Sequence, residues 1–162
     1  MKGFGENKEE LKQANEVKTF PVPIDLGEIK NNSAFITNIP KKLSKEQLIN
    51  QALKFHLKGN IPEAEKLYQY CINKGFKDHR VFSNYGIILS GLGKLQEAEL
   101  STRKAIELNP DFADAHSNLG LILKDLGKLK DAEISFRKAI EIKPDFAEAH
   151  SNLGIILKDL SE

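Results

Sequence analysis

A chain of 162 residues, 40% hydrophobic and 29% charged, has the balance of a soluble globular protein and room for one ordinary domain. Its 24 basic and 23 acidic side chains nearly cancel, which leaves no overall charge to draw it to nucleic acid or an anionic membrane, and its apolar runs fall far short of the ~20 residues of a bilayer span. The single cysteine, Cys71, excludes an intramolecular disulfide, argues against a thiolate metal site and reads as a small buried residue inside a helix.

Residues 1–44 share no pattern with the rest of the chain, and their charged start lacks the apolar stretch of a secretory signal, so the cytoplasm is the expected location. Glu9 to Lys18 reads as a short helix, and Phe20-Pro21-Val22-Pro23 as extended chain, because proline fixes φ and offers no amide. Ile24 to Pro40 has no clear period and completes a leader expected to be extended or partly disordered. A sharper reading lays this leader in a groove of its own chain as a stand-in for a ligand.

From residue 45 the sequence repeats. Ser83-Asn84-Tyr85-Gly86 returns 34 residues later as Ser117-Asn118-Leu119-Gly120 and again as Ser151-Asn152-Leu153-Gly154. Lys104-Ala105-Ile106-Glu107 likewise returns as Lys138-Ala139-Ile140-Glu141. The copies span 79–112 and 113–146, with a weaker one over 45–78 and a half copy over 147–162. In the weaker copy Ala52, Gly59, Ala64, Tyr68 and Cys71 fill the slots of Gly86, Gly93, Ala98, Thr102 and Ala105. A fixed period of this size signals stacked supersecondary units.

Each unit reads as two helices. His116, Leu119, Gly120 and Leu123 recur at intervals of three and four, on one helix face. Ser44 with Gln47, and Asp145 with Glu148, have capping-box spacing and place helix starts just after them. Gly93 and Gly127 stand where a left-handed residue closes a helix. The second helix is expected to bury Leu129, Ala132, Phe136, Ala139 and Ile140 and to end before Pro144. Gly120 and Ala132 are expected to let two backbones approach, while Leu123 and Phe136 fill the space beside them.

The Gly, Ala, aromatic, Ala and Pro slots of a 34-residue unit resemble the tetratricopeptide repeat family over residues 45–162. His116 and His150 stand where the family pattern often has tryptophan; in the first unit Leu48 stands there and Phe76 takes the proline slot. The resemblance implies an all-α fold, a right-handed superhelical solenoid of antiparallel hairpins. Its first helices would line a concave groove that receives a peptide or a partner's helix. The near-identical copies also look like bacterial arrays that often precede sulfotransferase or glycosyltransferase domains.

Asn50, Asn84, Asn118 and Asn152 fall at one point of every unit and would form a column. An amide both donates and accepts, so such a column can grip the backbone of an extended peptide without reading its side chains. A similar ladder belongs to the repeat domain of the O-linked N-acetylglucosamine transferase. The bland alternative is that each Asn bonds its neighbouring helix. Around the column Arg80, Ser83, Ile87, Asp114, Ser117, Leu121, Lys124, Glu148, Ser151, Ile155 and Lys158 are expected to face the groove. Lys124 and Lys158 would form a modest basic stripe, or simply a solvated face.

No catalytic residues, cofactor or metal site are expected. His116 and His150 are a full repeat apart, no two histidines have ligand spacing, and the carboxylates scatter over helix faces. The expected function is a protein–protein interaction scaffold, not an enzyme. The alternative is a truncated, substrate-presenting region of a multidomain glycosyl- or sulfotransferase. At the carboxyl end Ile155, Ile156, Leu157 and Leu160 present an apolar face without its second helix. We read this as a shortened array with a tendency to form a homodimer through its open last helix.

Overall fold

The computed structural model describes residues 43–161, and among them it contains seven helices and no strand. The expectations for residues 1–42 lie outside the described residues. The helices are α1 (Lys45–Leu57), α2 (Ile61–Asn73), α3 (His79–Gly91), α4 (Leu95–Leu108), α5 (Ala113–Asp125), α6 (Leu129–Ile142) and α7 (Ala147–Asp159).

Helix starts follow two different devices. Ser44 caps α1 with a complete capping box: its hydroxyl accepts from the Gln47 amide at 3.2 Å while the Gln47 side chain accepts from the Ser44 amide at 2.9 Å. Asp78 caps α3, its Oδ1 accepting from the Arg80 amide at 3.1 Å. The box expected at Asp145 does not form. Phe146 occupies the cap position of α7 and its amide turns back to the Lys143 carbonyl at 3.1 Å, which puts Asp145 one residue too early to reach the first turn.

Helix ends are more uniform. Gly59, Gly75, Gly93 and Gly127 all have φ between 72° and 75°. At the end of α3 the Gly93 amide bonds Ser90 O and the Lys94 amide bonds Leu89 O, the paired bonds of a Schellman motif, and the same pair recurs at Gly127 and Lys128. Left-handed glycines therefore turn the chain back into antiparallel hairpins α1–α2, α3–α4 and α5–α6. Successive hairpins then pack α2 on α3, α4 on α5 and α6 on α7, while α3, α5 and α7 also touch one another directly. The result is an all-α solenoid with the first helices as one layer and α2, α4 and α6 as the other.

The interior is a repeated small-against-large contact. Tyr68, Thr102 and Phe136 occupy one slot of the three second helices and are all fully buried. Ala52, Gly86 and Gly120 occupy the facing slot of the first helices. A Cβ on Gly120 would lie 2.7–2.9 Å from the Phe136 ring, so the fully buried aromatic ring presses directly on this glycine. At the same slot one unit earlier, a Cβ on Gly86 would meet the Ala98 carbonyl at 3.2 Å as well as the Thr102 hydroxyl, a close approach of two backbones. Burial of a side chain such as Phe136 contributes about 2–3 kcal/mol. Ala132 and Ala139 are fully buried as expected, whereas Leu129 and Ile140 are only half-buried at the edge of the hairpin.

Candidate functional site

The inner layer collects the residues that the repeat register places on the first helices, but it does not present them equally. Asn84 is 1% exposed, its amide nitrogen donating to the Arg80 carbonyl at 2.9 Å. Asn118 is also buried, and its amide nitrogen donates to the Ser83 hydroxyl of α3 at 3.2 Å. Asn50 and Asn152 are half-buried. At two of the four positions, then, the amide donor is engaged inside the array. What remains in the first half of the column is acceptor capacity: Asn50 Oδ1 and Asn84 Oδ1 are buried without a hydrogen-bond partner.

Ser83, Ser117 and Ile87 are buried, Leu121 and Lys124 are half-buried, and Lys158 is exposed. Among the described residues Lys124 and Lys158 make no ion pair, so the basic stripe is open to solvent.

Arg80 is half-buried and is held by its own chain. Its guanidinium forks onto Glu46 with two bonds of 2.9 Å and onto Asp78 at 2.9 and 2.8 Å, and Lys45 adds a looser contact to Asp78 at 3.8 Å. Two bidentate partners engage four of the five N–H donors of the guanidinium. Bonds from Asp78 and then Glu46 push the Arg80 pKa up, and the Arg80 bond holds Glu46 below the usual carboxylate range. For Asp78 burial acts in the opposite direction, but the Arg80 bonds and charge outweigh it and the net displacement is downward. Since both carboxylates are depressed in the folded state, this clamp between α1 and α3 is complete above the ordinary carboxylate pKa and is lost as pH falls through the depressed values. Glu46 was not singled out by sequence reasoning. The signal was available, because Glu46 and Arg80 share a slot in adjacent units and carry opposite charges.

Asp114, in the next unit at that same slot, is the converse case. It is half-buried, takes no hydrogen bond among the described residues, and has its pKa raised by burial, with Lys143 pulling only partly the other way. Among the described residues it forms no ion pair.

The histidines are structural. His116 Nε2 lies 2.8 Å from the Pro110 carbonyl, and His150 Nε2 lies 2.8 Å from the Pro144 carbonyl. A carbonyl only accepts, so Nε2 carries the proton and ties each first helix to the loop before it. His56 is buried edge-on to Tyr68, and burial lowers its pKa; His79 packs edge-on to Phe112 at 4.7 Å. Cys71 is buried and its thiol is pushed up to about 11 by burial, the state of an inert packing residue. Among the described residues no group of three or more His, Cys, Asp or Glu could hold a metal ion, and no helix is long and apolar enough to cross a membrane.

Residues 113–146 match the tetratricopeptide repeat, and residues 88–127 match a second description of the TPR repeat. Comparison with curated proteins finds no match. Solved structures with this fold include the first TPR of Spaghetti (RPAP3), bound to the HSP90 peptide SRMEEVD, at 24% identity and a TM-score of 0.69 over 73% of this chain and 94% of that one. MamA aligns at 22% identity and a TM-score of 0.71 over 77% of this chain and 73% of that one. The O-GlcNAc transferase of Thermobaculum terrenum aligns at 25% identity and a TM-score of 0.67 over 70% of this chain but only 22% of that one.

Proposed function

From a chain built of tetratricopeptide repeats, we propose a protein-interaction scaffold whose inner groove takes an extended peptide or a partner's helix. The observation that supports this reading is the layer of first helices, whose register repeats an amide in every unit, an apolar side chain one turn on, and, in the later units, lysines that make no ion pair among the described residues. Asn50 and Asn84 supply buried acceptors to the N–H groups of a backbone, Leu121 and Ile155 supply apolar contact, and Lys124 and Lys158 supply charge. Arg80 contributes to the shape of the edge, since its charge is already matched. The fold shared with RPAP3, whose first repeat domain was solved with a bound peptide, supports the same reading. In this proposal residues 1–44 form a leader, residues 45–162 form the array, the protein works in the cytoplasm, and it performs no catalysis of its own.

A second reading is favoured by the alignment with the O-GlcNAc transferase, in which such repeats accompany an enzyme. Here the array would present substrates to a glycosyl- or sulfotransferase region. Both readings use the same groove.

The test is selection from a library of extended peptides on the full chain, followed by titration of the selected peptides into the Lys124→Glu, Lys158→Glu double variant and into Asn152→Ala. These positions are half-buried or exposed, so the variants should fold. The groove reading expects at least about a tenfold loss of affinity in the lysine variant, which corresponds to ~1.4 kcal/mol. Peptides that bind both variants as tightly as the unmodified chain would remove the inner face as the binding surface.

A further inference from the structure

α7 repeats α5 almost letter for letter, the two differing only at Asp114/Glu148 and Leu121/Ile155. On α5, Leu119, Gly120 and Leu123 form the stripe that receives α6. Leu119 and Leu123 are 4% and 1% exposed and share one apolar cluster with Ala132 and Phe136, and the Phe136 ring lies against Gly120. On α7 the same stripe is Leu153, Gly154 and Leu157, and it stands open. Leu157 is 41% exposed, Leu153 is half-buried, and a Cβ on Gly154 would meet nothing within 4 Å. Another side of α7 is already taken, since Ala149 and Ile156 are buried in the cluster that contains Phe136 and Ala139 of α6. At about 100° per residue, the open stripe lies roughly 130° round the helix from Glu148, Ser151, Ile155 and Lys158, the residues read as inner groove.

We propose that this stripe of α7 docks an amphipathic helix of a partner protein, one that carries the apolar spacing of α6: a small residue, then an aromatic at the interval of Ala132 to Phe136, then a second small residue at the interval of Phe136 to Ala139. An interface already built in this chain names the occupant. The open stripe has the same residues as the stripe of α5, and the complement of that stripe is Ala132, Phe136 and Ala139, all fully buried. Interiors reach their packing density only where bulk on one helix meets a gap on the other, so identical faces are filled best by the same shape. The hairpin α3–α4 shows the rule working in the other direction. There Tyr85 stands where α5 and α7 carry leucine, and Thr102 stands where α6 carries Phe136. With Leu153 in place of a tyrosine, α7 therefore calls for the aromatic ring over Gly154 and not for a threonine. The outer side of such a helix is polar, as Lys130, Asp131, Arg137 and Glu141 are exposed on α6, so docking covers the leucines and leaves charge toward water. This surface is separate from the peptide groove and needs nothing from it.

Two measurements on the full chain test this. A fluorescein-labelled peptide of residues 128–143 is held helical by a lactam from Lys130 to the carboxyl group introduced by Ile134→Asp, two positions exposed in the array and clear of the contact. Titrated into the chain, it should saturate at equimolar ratio. Binding should weaken at least about tenfold with Phe136→Ala in the peptide, and by as much with Gly154→Leu in the chain, a substitution with open space around it. A peptide of residues 94–109, with Thr102 at the aromatic slot, should also bind at least about tenfold more weakly. Unspecific adhesion to the exposed leucines predicts equal or tighter binding by Gly154→Leu, and exchange of the peptide with α6 on α5 predicts no response to it. Either result, or no saturable binding, would overturn the proposal. Benzoylphenylalanine at position 136 of the peptide then maps the contact. Light-induced adducts are expected on residues 150–157; adducts confined to residues 116–123, or a second copy of the chain seated on α7 that the peptide does not displace, would equally overturn it. Peptides selected for the inner groove should bind Gly154→Leu as tightly as the unmodified chain, so either surface can fail its test while the other stands.

Discussion

Gly120 and Gly154 occupy the same slot of successive units, and the structure gives them opposite roles. A methyl group at Gly120 meets the fully buried Phe136 ring at 2.7 Å, whereas at Gly154 nothing lies within 4 Å. Gly120→Ala should therefore destabilise by about 1–3 kcal/mol through overpacking. Gly154→Ala should stabilise α7 by roughly 0.5–1 kcal/mol through helix propensity. Paired urea titrations check both signs, and destabilisation in both would mean that α7 is covered. Asp114 supplies a second prediction at this scale. Burial raises its pKa, so the folded state binds a proton more readily than the unfolded state, and stability falls as pH rises from the ordinary aspartate value through the raised one. Asp114→Asn removes that cost. Its melting temperature should exceed that of the unmodified chain at pH 7, and the difference should vanish below about pH 3.5, where both states are protonated. The slot of Gly120 and the Phe136 that fills the space beside it were both legible in the sequence, but how closely the ring presses on the glycine was not, because periodicity gives register and not rotamers. The same limit applies to the asparagine column: four identical letters at one spacing conceal two buried donors engaged by the Arg80 carbonyl and the Ser83 hydroxyl.

Helix boundaries were read from caps, and here local chemistry decided which readings survived. Ser44 and Gln47 form both bonds of their box, and Gly93 and Gly127 adopt the left-handed conformation that their position after the apolar run requires. Both are rules of one or two turns, so the sequence alone carries them. Asp145 has the same spacing to Glu148 as Ser44 has to Gln47, yet the Pro144 loop turns once more and hands the cap position to Phe146. Spacing cannot distinguish these cases, because the difference lies in where the preceding turn ends. Ser44→Ala should accordingly cost about 1 kcal/mol of stability, since it removes the acceptor of the Gln47 amide at the start of α1. Asp145→Ala should change stability by less than about 0.5 kcal/mol. Thermal or urea unfolding of the two variants side by side provides the check. Equal losses would show that Asp145 caps α7 in solution.

At the scale of the whole molecule, a stack of units gains stability from its own hairpins and from nearest neighbours, so it need not open all at once. α3 and α5 each have a hairpin partner, a preceding second helix and a direct inner-layer contact. α7 has α6 and a slight contact with α5, only two buried residues, and exposed apolar side chains at Ile155, Leu157 and Leu160. Its local opening free energy must therefore be the smallest among the described helices. In hydrogen exchange at low protein concentration, the amides of residues 151–158 should exchange at least about a hundredfold faster than those of residues 84–89 and 118–123, a gap of ~2.7 kcal/mol. The fractional protection of α1 should follow the middle of the array, as its buried face implies. Dilution separates the two ways in which α7 could be protected instead. If a second copy covers Ile155 and Leu157, protection of α7 grows with protein concentration and its exchange approaches that of α5 when the dimer is populated. If protection is high and independent of concentration, the array opens as one cooperative unit, and nearest-neighbour additivity does not describe it.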